Sequence, residues 1–459
     1  MFDQYIEEHR TEMVESLRSL LQIPSVKSEA QDCRPFGQGP AEALEYVLNF
    51  AKGKGLATRN LDGYAGHVEY GQDREYVAVV GHLDVVPAGN GWKHPPFGAE
   101  IEDDKIFARG ALDDKGPIFA ALWALVMLKD LGLQPRRSIR VIFGLDEEND
   151  WRCMEHYLAS EAKPLGGFTP DAAFPLIHAE KGIATVKVEV PAENDSMLPK
   201  VLRFEAGQRF NMVPDYAFAQ VDCHSETAAR EWEGKLHKEA RSRQIELDTQ
   251  ATAAIIQLTV RGLAAHGSTP GDGTNAIVHL AELLGMQSVS NGSMWRAIAG
   301  QDTGGNGLGI AASDEIMGAL TVNLGIASLT DRTYSFFFNI RYPMTTCIDD
   351  ILEKCHGALS DKWKATVVEN RNPLFIPLDH PVIATLRRVY EEQTGLKSTP
   401  LVMGGGTYAR AMPNTVAFGG LFPGREDTAH QKDEYWHIED FLRCVSIFGH
   451  AMNDLANTL

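Results

Sequence analysis

Apolar and polar positions alternate in blocks along the first 185 residues. Residues 5–22 and 37–55 carry apolar side chains at helical spacing, which predicts two amphipathic helices. The segments EYVAVVGHLDVV (75–86) and SIRVIFGLDEE (138–148) are rich in β-branched residues and predict buried strands. Between them, GPIFAALWALVMLKDLG (116–132) is apolar on nearly all sides, as a buried helix is. Strand, helix and strand in this order predict an α/β fold with a mainly parallel, mixed sheet flanked by helices.

The pattern changes near Gly182. ATVKVEV, VLRFEAG, AFAQVDC and AIIQLTVRG alternate with a period of two, which is typical of half-solvated antiparallel strands. Helical patterns follow at 274–286 and 348–362, and buried strands with Gly-rich ends return after residue 377. We therefore predict one discontinuous domain, 1–185 plus 377–459, with an α+β domain inserted at 186–376.

Charge and cysteine content narrow the function classes. The formal net charge of −19 disfavours nucleic acid, and no Lys/Arg run indicates an anionic membrane surface. The apolar run Ala120–Leu128 is much shorter than the ~20 residues that span a bilayer. Six scattered cysteines without a CxxC pair predict free thiols in a reducing compartment. We expect a cytoplasmic enzyme without nucleic-acid or membrane partners.

Four short segments place His or acidic residues at predicted strand ends or helix starts. They are GHLDVVPAG (81–89), RGALDDKGP (109–117), LDEEND (145–150) and PDAAFP (170–175). Each has a simpler structural explanation taken alone: a strand-end His bonded to an Asp, a helix cap, an acidic surface turn and a turn residue. Together they lie where ligands bind in open α/β sheets, and their imidazole and carboxylate donors suit a catalytic metal site.

These motifs, with the late FPGREDTAHQKDE, resemble the co-catalytic metallopeptidase family. That family includes carnosinases, aminoacylases and succinyl-diaminopimelate desuccinylases, and GWKHPPF and GGGTYAR resemble its peptidase V (Xaa-His dipeptidase) branch. The resemblance covers almost the whole chain. It implies a zinc-peptidase-like catalytic domain with an inserted lid, and metal-dependent hydrolysis of small dipeptides.

The resemblance also implies the roles of individual residues. His82 and Asp171 would hold one metal ion, Glu148 and His430 the other, and Asp113 would bridge both. Asp84 would orient His82, Glu147 would be the general base, and the Asp113–Asp114 peptide would be cis. The choice of His430 over His437 rests on the resemblance alone. Two Zn²⁺ ions are expected, with Mn²⁺ or Co²⁺ as alternatives.

The expected substrate contacts lie mostly in the inserted domain. By resemblance, His266 would stabilise the oxyanion, and Asn211 and Arg341 would contact the substrate. The structural alternative for Arg341 is an internal ion pair with one of the acidic residues. Gly405, Gly406 and Thr407 lack the Lys-Ser/Thr of a phosphate loop and are expected to line the substrate pocket.

Three alternatives remain open at this point. A deacylase of N-acyl amino acids or a carboxypeptidase of the same family would share every metal residue. A catalytically inactive binding protein on the same fold would show loss of a ligand or of Glu147, and none is lost. The length of the insert favours a monomer, because peptidase V relatives supply the lid His in the same chain.

Overall fold

The computed structural model describes residues 1–193, 197–360 and 362–459. These residues form two compact units. The first unit comprises Met1–Ala179, Phe375–Val402 and Gly406–Leu459, and the second comprises Glu180–Leu374 and Met403–Gly405. The sequence-based boundaries at 185/186 and 376/377 lie slightly C-terminal to these. The return of three residues to the second unit was not predicted, because the TPLVMGGGTYAR pattern indicates only a strand with a Gly-rich end.

The described residues contain ten α-helices, of which α1, α2, α3, α4, α9 and α10 belong to the first unit. The helices are α1 (Phe2–Leu21), α2 (Gln38–Gly53), α3 (Lys115–Asp130), α4 (Arg152–Ser160), α5 (Glu226–Arg243), α6 (Ala276–Gly285), α7 (Gly292–Ala299), α8 (Ile348–Ala358), α9 (Pro381–Thr394) and α10 (Ile438–Thr458). The predicted helix 348–362 includes Asp361, which lies outside the described residues. Among the described residues, no helix combines the length and the apolar character needed to cross a bilayer.

The strands of the first half of the chain are β1 (Ala57–Leu61), β2 (Ala65–Tyr70), β3 (Tyr76–His82), β4 (Glu100–Glu102), β5 (Lys105–Phe107), β6 (Ser138–Gly144), β7 (Gly167–Thr169), β8 (Ala172–Ala173), β9 (Ile177–Glu180), β10 (Gly182–Pro191), β11 (Lys200–Ala206) and β12 (Tyr216–Asp222). Those that follow are β13 (Glu246–Thr252), β14 (Ile255–Arg261), β15 (Ser313–Asp314), β16 (Gly318–Ala319), β17 (Thr321–Thr330), β18 (Thr333–Tyr342), β19 (Lys364–Arg371), β20 (Leu374–Phe375), β21 (Leu401–Met403), β22 (Thr415–Ala417), β23 (Gly420–Leu421) and β24 (Tyr435–His437).

The first unit is built on a mixed sheet in which seven strands follow in the order β1-β2-β6-β3-β7-β22-β9. β6, β3, β7 and β22 are parallel, whereas β1, β2 and β9 run antiparallel to their neighbours. All seven residues of the central strand β3 are buried. Such continuous burial is typical of a parallel strand covered on both faces. The predicted α/β class and mixed sheet are confirmed.

Helix α3 is the buried helix that its composition predicted. Every residue from Lys115 to Leu128 is buried, and the helix contacts α1, α10 and β3. A helix that is apolar all round must be covered on every side, which fixes the start of α3 firmly in the core. Asp113 and Asp114 lie directly before that start.

The second unit contains an eight-stranded antiparallel sheet in the order β13-β14-β12-β11-β17-β18-β10-β19. Buried and less buried residues alternate along β12 and β14, as the period-two pattern predicted. Helices α5, α6, α7 and α8 contribute apolar residues to one core with this sheet. The insert is therefore an α+β unit with its own core.

Candidate metal centre

Four of the predicted site residues lie at or just after the carboxyl ends of strands in the first unit's sheet. His82 is the last residue of β3 and lies opposite Gly144, the last residue of the parallel strand β6, in the register of the sheet. Glu147 and Glu148 follow β6, and Asp171 follows β7, which is also parallel to β3. Parallel strands end at a common edge, so residues far apart in sequence are brought together there.

Asp113 lies between the two histidines. One of its carboxylate oxygens is 3.0 Å from Nε2 of His82, and the other is 3.0 Å from Nε2 of His430. Nε2 of His430 is also 2.8 Å from Oε1 of Glu148, and Nε2 of His82 is 3.7 Å from Oδ2 of Asp171. A carboxylate that offers a different oxygen to each side is suited to bridging two cations.

The donor atoms of the candidate ligands fall into two groups. His82, Glu147 and Asp171 form one group, and Asp113, Glu148 and His430 form the other, each with ligand atoms within 4.8 Å of one another. Imidazole nitrogen and carboxylate oxygen are donors that Zn²⁺ accepts, and two neighbouring groups are what a two-metal site needs. The geometry places Glu147 as close to His82 and Asp171 as a ligand would be.

Asp84 organises the backbone around these groups. Its backbone carbonyl oxygen is 2.9 Å from Nδ1 of His82, whereas its carboxylate is 3.7 Å from that nitrogen. The buried carboxylate instead accepts hydrogen bonds from the N–H groups of Glu147 and Glu148, at 3.0 and 3.2 Å. The residue thus fixes the His82 ring through its backbone and the Glu147–Glu148 pair through its side chain, and burial raises its pKa to about 6.

The electrostatics of the cluster also suit cations. Burial, followed by the charge of Asp113, raises the pKa of Asp171 to about 8. Desolvation would lower the pKa of His430, whose side chain is still half exposed, but hydrogen bonds to Asp113 and Glu148 raise it to about 11. Burial and the charges of Asp171, Glu148 and Asp113 raise the pKa of Glu147 well above its usual value, against the opposing effect of His82. Carboxylates this close together need positive charge, which divalent cations supply in competition with protons.

Asp113 itself differs from its neighbours. Burial would raise its pKa, but the hydrogen bonds to His430 and His82 hold it below its ordinary value. The peptide bond between Asp113 and Asp114 is cis, as the resemblance implied. Oδ2 of the buried Asp114 accepts the N–H of His82 at 3.1 Å. A Cβ on Gly81 would lie 2.2 Å from that oxygen, so only glycine fits where the carboxylate approaches β3.

Sequence reasoning missed Glu434, which lies in the quoted HQKDE segment. Its buried carboxylate accepts the N–H groups of Gly110, Leu112 and Asp113 at 2.9–3.2 Å. It also pairs with the buried Arg109 at 2.7 Å, and Nη2 of Arg109 donates to the carbonyl oxygen of His430 at 3.3 Å. The pair therefore joins the segment that carries Asp113 to the segment that carries His430. The signal in the sequence was an acid four residues after a predicted ligand.

Comparisons with known proteins decide the family. Residues 78–454 match the description "Peptidase family M20/M25/M40". The chain belongs to this family. A Bacillus subtilis protein named "Putative dipeptidase YtjP" is 38% identical over 465 residues, which cover 97% of this chain and 98% of that protein. The M20 family is metal-dependent and has a dinuclear site, so the family resemblance and the metallopeptidase class are confirmed.

Solved M20-like structures share the fold at low identity. Human carnosine dipeptidase 1 has a TM-score of 0.57 at 14% identity, over 99% of this chain and 98% of that one. The Saccharomyces cerevisiae di-peptidase Dug1p has a TM-score of 0.59 at 13% identity, over 99% and 98% of the two chains. At this level of identity the likeness concerns the fold.

Two of the residues that were expected to contact the substrate, Asn211 and His266, lie on neighbouring segments of the second unit. Met212 and His266 form an antiparallel bridge, and the N–H of Gly267 donates to the carbonyl oxygen of Asn211 at 2.7 Å. The N–H of Ser268 donates to Nδ1 of the exposed His266, and the Ser268 hydroxyl is 2.6 Å from the same nitrogen. Since Nδ1 accepts, the proton of the neutral ring is on Nε2.

The remaining substrate candidates divide between the units. Arg341, at the end of β18, is buried and donates to Oδ1 of Asn339 and to the carbonyl oxygen of Gly404, at 3.0 and 3.1 Å. Gly405 belongs to the second unit, whereas Gly406 and Thr407 belong to the first. The side chain of the buried Thr407 accepts the N–H of Ala409 and caps a short 3₁₀ helix.

The competing histidine, His437, has a structural position. It is the residue that precedes α10 and belongs to neither group of candidate ligands.

Proposed function

We propose that this chain is a metal-dependent dipeptidase. The bridging position of Asp113, with one oxygen directed to His82 and the other to His430, is the observation that carries the proposal. Two relatives that match nearly the whole chain carry the name "putative dipeptidase", which supports the substrate class. A site made of histidine and carboxylate donors, with no cysteine, favours Zn²⁺, and Mn²⁺ or Co²⁺ would fit the same donors.

In this proposal five residues hold the metal ions. His82 and Asp171 bind one, Glu148 and His430 bind the other, and Asp113 binds both. Two divalent cations held in this way would activate a water molecule as the nucleophile and polarise the scissile carbonyl. Asp84 and Asp114 hold the backbone that presents these ligands, through the hydrogen bonds to Glu147, Glu148 and His82.

Glu147 acts as the general base in this proposal. Its carboxylate lies within 4.8 Å of the ligand atoms of His82 and Asp171, which places a proton acceptor beside the proposed metal ions. It would take a proton from the attacking water and deliver it to the leaving amine. Two hydrogen bonds hold the backbone of Glu147 in place. Its N–H donates to the Asp84 carboxylate, and its carbonyl oxygen accepts from the indole of Trp151 at 2.8 Å.

The predicted substrate contacts would bind and polarise the peptide. His266, with its proton on Nε2, is suited to donate to an oxyanion, and Asn211 on the bridged segment would contact the same part of the substrate. The Arg341 guanidinium would bind the C-terminal carboxylate, and Gly405, Gly406 and Thr407 would line the pocket. Because His266 is present in this chain, we propose that a monomer is sufficient for activity.

A small substrate panel tests the proposal. Leu-Gly, β-Ala-His, Leu-Gly-Gly and an N-acetyl amino acid would be incubated with the enzyme in Zn²⁺, Mn²⁺ or chelator. We expect hydrolysis of the dipeptides only in the presence of metal. Hydrolysis of the N-acetyl compound alone would replace the dipeptidase assignment with a deacylase, and dipeptide hydrolysis in full chelation would contradict the metal requirement.

A further inference from the structure

A row of buried polar side chains crosses the sheet of the second unit. Asn323 of β17 lies opposite Asn339 of β18, Asn339 lies opposite Thr185 of β10, and Thr185 lies opposite Glu369 of β19. The first three are no more than 2% exposed, although their neighbours along each strand include the apolar core of the unit. Buried polar side chains cost stability unless they are hydrogen-bonded, so the partners of this row decide what it does.

The hydrogen bonds of the row have a fixed direction. The hydroxyl of Thr185 donates to Oε1 of Glu369 at 2.7 Å, because a carboxylate can only accept. Since that hydroxyl has one proton, it accepts from Nδ2 of Asn339, which lies 3.3 Å away. The Asn339 amide is thereby oriented with its oxygen towards Nε of Arg341, at 3.0 Å.

Asn323 fixes the neighbouring segment in the same way. Its Nδ2 donates to the carbonyl oxygens of Phe210 and Met212, at 2.8 and 2.9 Å, on both sides of Asn211. Met212 forms the bridge to His266, so this single amide anchors the paired segments. A Cβ on Gly267 would lie 2.8 Å from the Asn211 backbone, which shows how closely the two segments approach.

We propose that Thr185, Asn339 and Asn323 are positioning residues for substrate binding. The row holds the Arg341 guanidinium at a set distance from the segment of Asn211 and His266, since cross-strand neighbours in a sheet are separated by about 5 Å. The enzyme would therefore select peptides whose free C-terminal carboxylate lies at a matching distance from the scissile carbonyl. This inference rests on the proposed function, because it takes Arg341 as the carboxylate-binding residue.

Binding to an inactivated enzyme measures this selection without turnover. In a Glu147→Gln background, calorimetry would give the Kd of Leu-Gly and of Leu-Gly amide, which lacks the carboxylate. We expect the parent to prefer Leu-Gly by about tenfold or more, as loss of a charge-assisted hydrogen bond implies. Asn339→Ala should reduce that preference to within about threefold. Thr185→Val should shift it the same way, and Thr185→Ser should restore it.

Asn291→Ala is the matched control. Asn291 is also a buried asparagine of the second unit, but it donates to Pro191 and accepts from Glu193, at the opposite end of β10 from Thr185. The Asn291→Ala variant should be less stable, but the ratio of its Kd values for Leu-Gly and Leu-Gly amide should equal that of the parent. An unchanged ratio in folded Asn339→Ala would overturn the inference, whereas absence of Leu-Gly hydrolysis by the wild type would overturn the proposed function instead.

Asn323→Ala separates the two halves of the row. Because its amide anchors Asn211 and His266 and makes no bond to Arg341, we expect kcat for Leu-Gly to fall about tenfold in the otherwise wild-type enzyme. The preference for carboxylate over amide should stay near that of the parent in the Glu147→Gln background. An unchanged kcat in the folded variant would remove Asn323 from the proposal.

Discussion

At the scale of single residues, Glu434 supports the site without being one of its candidate ligands. It accepts three backbone N–H groups around Asp113 and pairs with Arg109, all in the interior of the first unit. We expect Glu434→Gln to weaken metal affinity about 10- to 100-fold, as loss of an outer carboxylate does in metal sites. Competition with a chromophoric chelator measures the metal affinity of the wild type and of Glu434→Gln.

The matched control for Glu434 is an exposed acid of the same segment. Glu426 contacts the hydroxyl of Tyr435 at 3.2 Å and touches no candidate ligand in its described contacts. Glu426→Gln should bind metal like the wild type. Equal affinities for Glu434→Gln and Glu426→Gln would show that the buried carboxylate does not organise the site.

The common position of the candidate residues could be predicted from the sequence, whereas their individual roles rest on the family resemblance and their supporting contacts could not be predicted. His82, Asp113, Glu147, Glu148 and Asp171 follow or precede strongly patterned strands and helices, so their common edge follows from parallel pairing. Glu434 and Arg109 are far apart in sequence and lie in irregular segments without periodicity. Only the folded backbone shows that the carboxylate of one meets the N–H groups beside the other.

At the scale of elements, strand β2 of the first unit's sheet carries a buried histidine that makes stability depend on pH. His67 of β2 is 5% exposed, and Nδ1 of its ring lies 3.2 Å from the hydroxyl of Tyr157 on α4. Burial, followed by the charges of Arg140 and Arg59, lowers the pKa of His67 to about 3. The folded state therefore binds the proton much more weakly than the unfolded chain, whose histidines titrate near pH 6.5.

The sign of the effect follows from that difference. Below pH 6.5 the unfolded chain gains the proton and the folded chain does not, so the free energy of unfolding falls as the pH falls towards 3. Between pH 7 and 5 this histidine should remove about 2 kcal/mol. Urea unfolding of His67→Phe should show a pH dependence smaller by that amount, whereas His224→Asn, at an exposed histidine, should behave like the wild type. A His67→Phe variant with the full wild-type dependence would contradict this assignment.

The pattern of apolar and polar residues predicted some elements and not others. α3 could be predicted because its sequence is apolar on nearly all sides, as in a helix inside the core, and fourteen consecutive residues of the helix are buried. β13 was not predicted, because it is an edge strand in which exposed and half-buried residues alternate and none is fully buried. A strand paired on one side only can be stable with polar residues on both faces, since its backbone hydrogen bonds and its neighbour hold it.

At the scale of the whole molecule, the candidate residues are distributed over the two compact units. The first unit contains every candidate metal ligand and Glu147, and the second contains Asn211, His266 and Arg341. The discontinuous layout follows from the sequence, because the periodicity changes near Gly182 and changes back after residue 377. The inclusion of Met403–Gly405 in the second unit could not be predicted, since it depends on contacts such as the hydrogen bond that the Arg341 guanidinium donates to the carbonyl oxygen of Gly404.

In the proposed mechanism, a two-metal site works with Glu147 as its general base. The most direct test is the kcat for Leu-Gly of wild type and Glu147→Gln, each brought to the same measured content of two metal ions per chain. We expect Glu147→Gln to keep both ions and to lose about 10²- to 10⁴-fold in kcat, because only the proton acceptor is removed. Near-wild-type turnover at equal metal content would contradict the account, since the base would then have to be another residue.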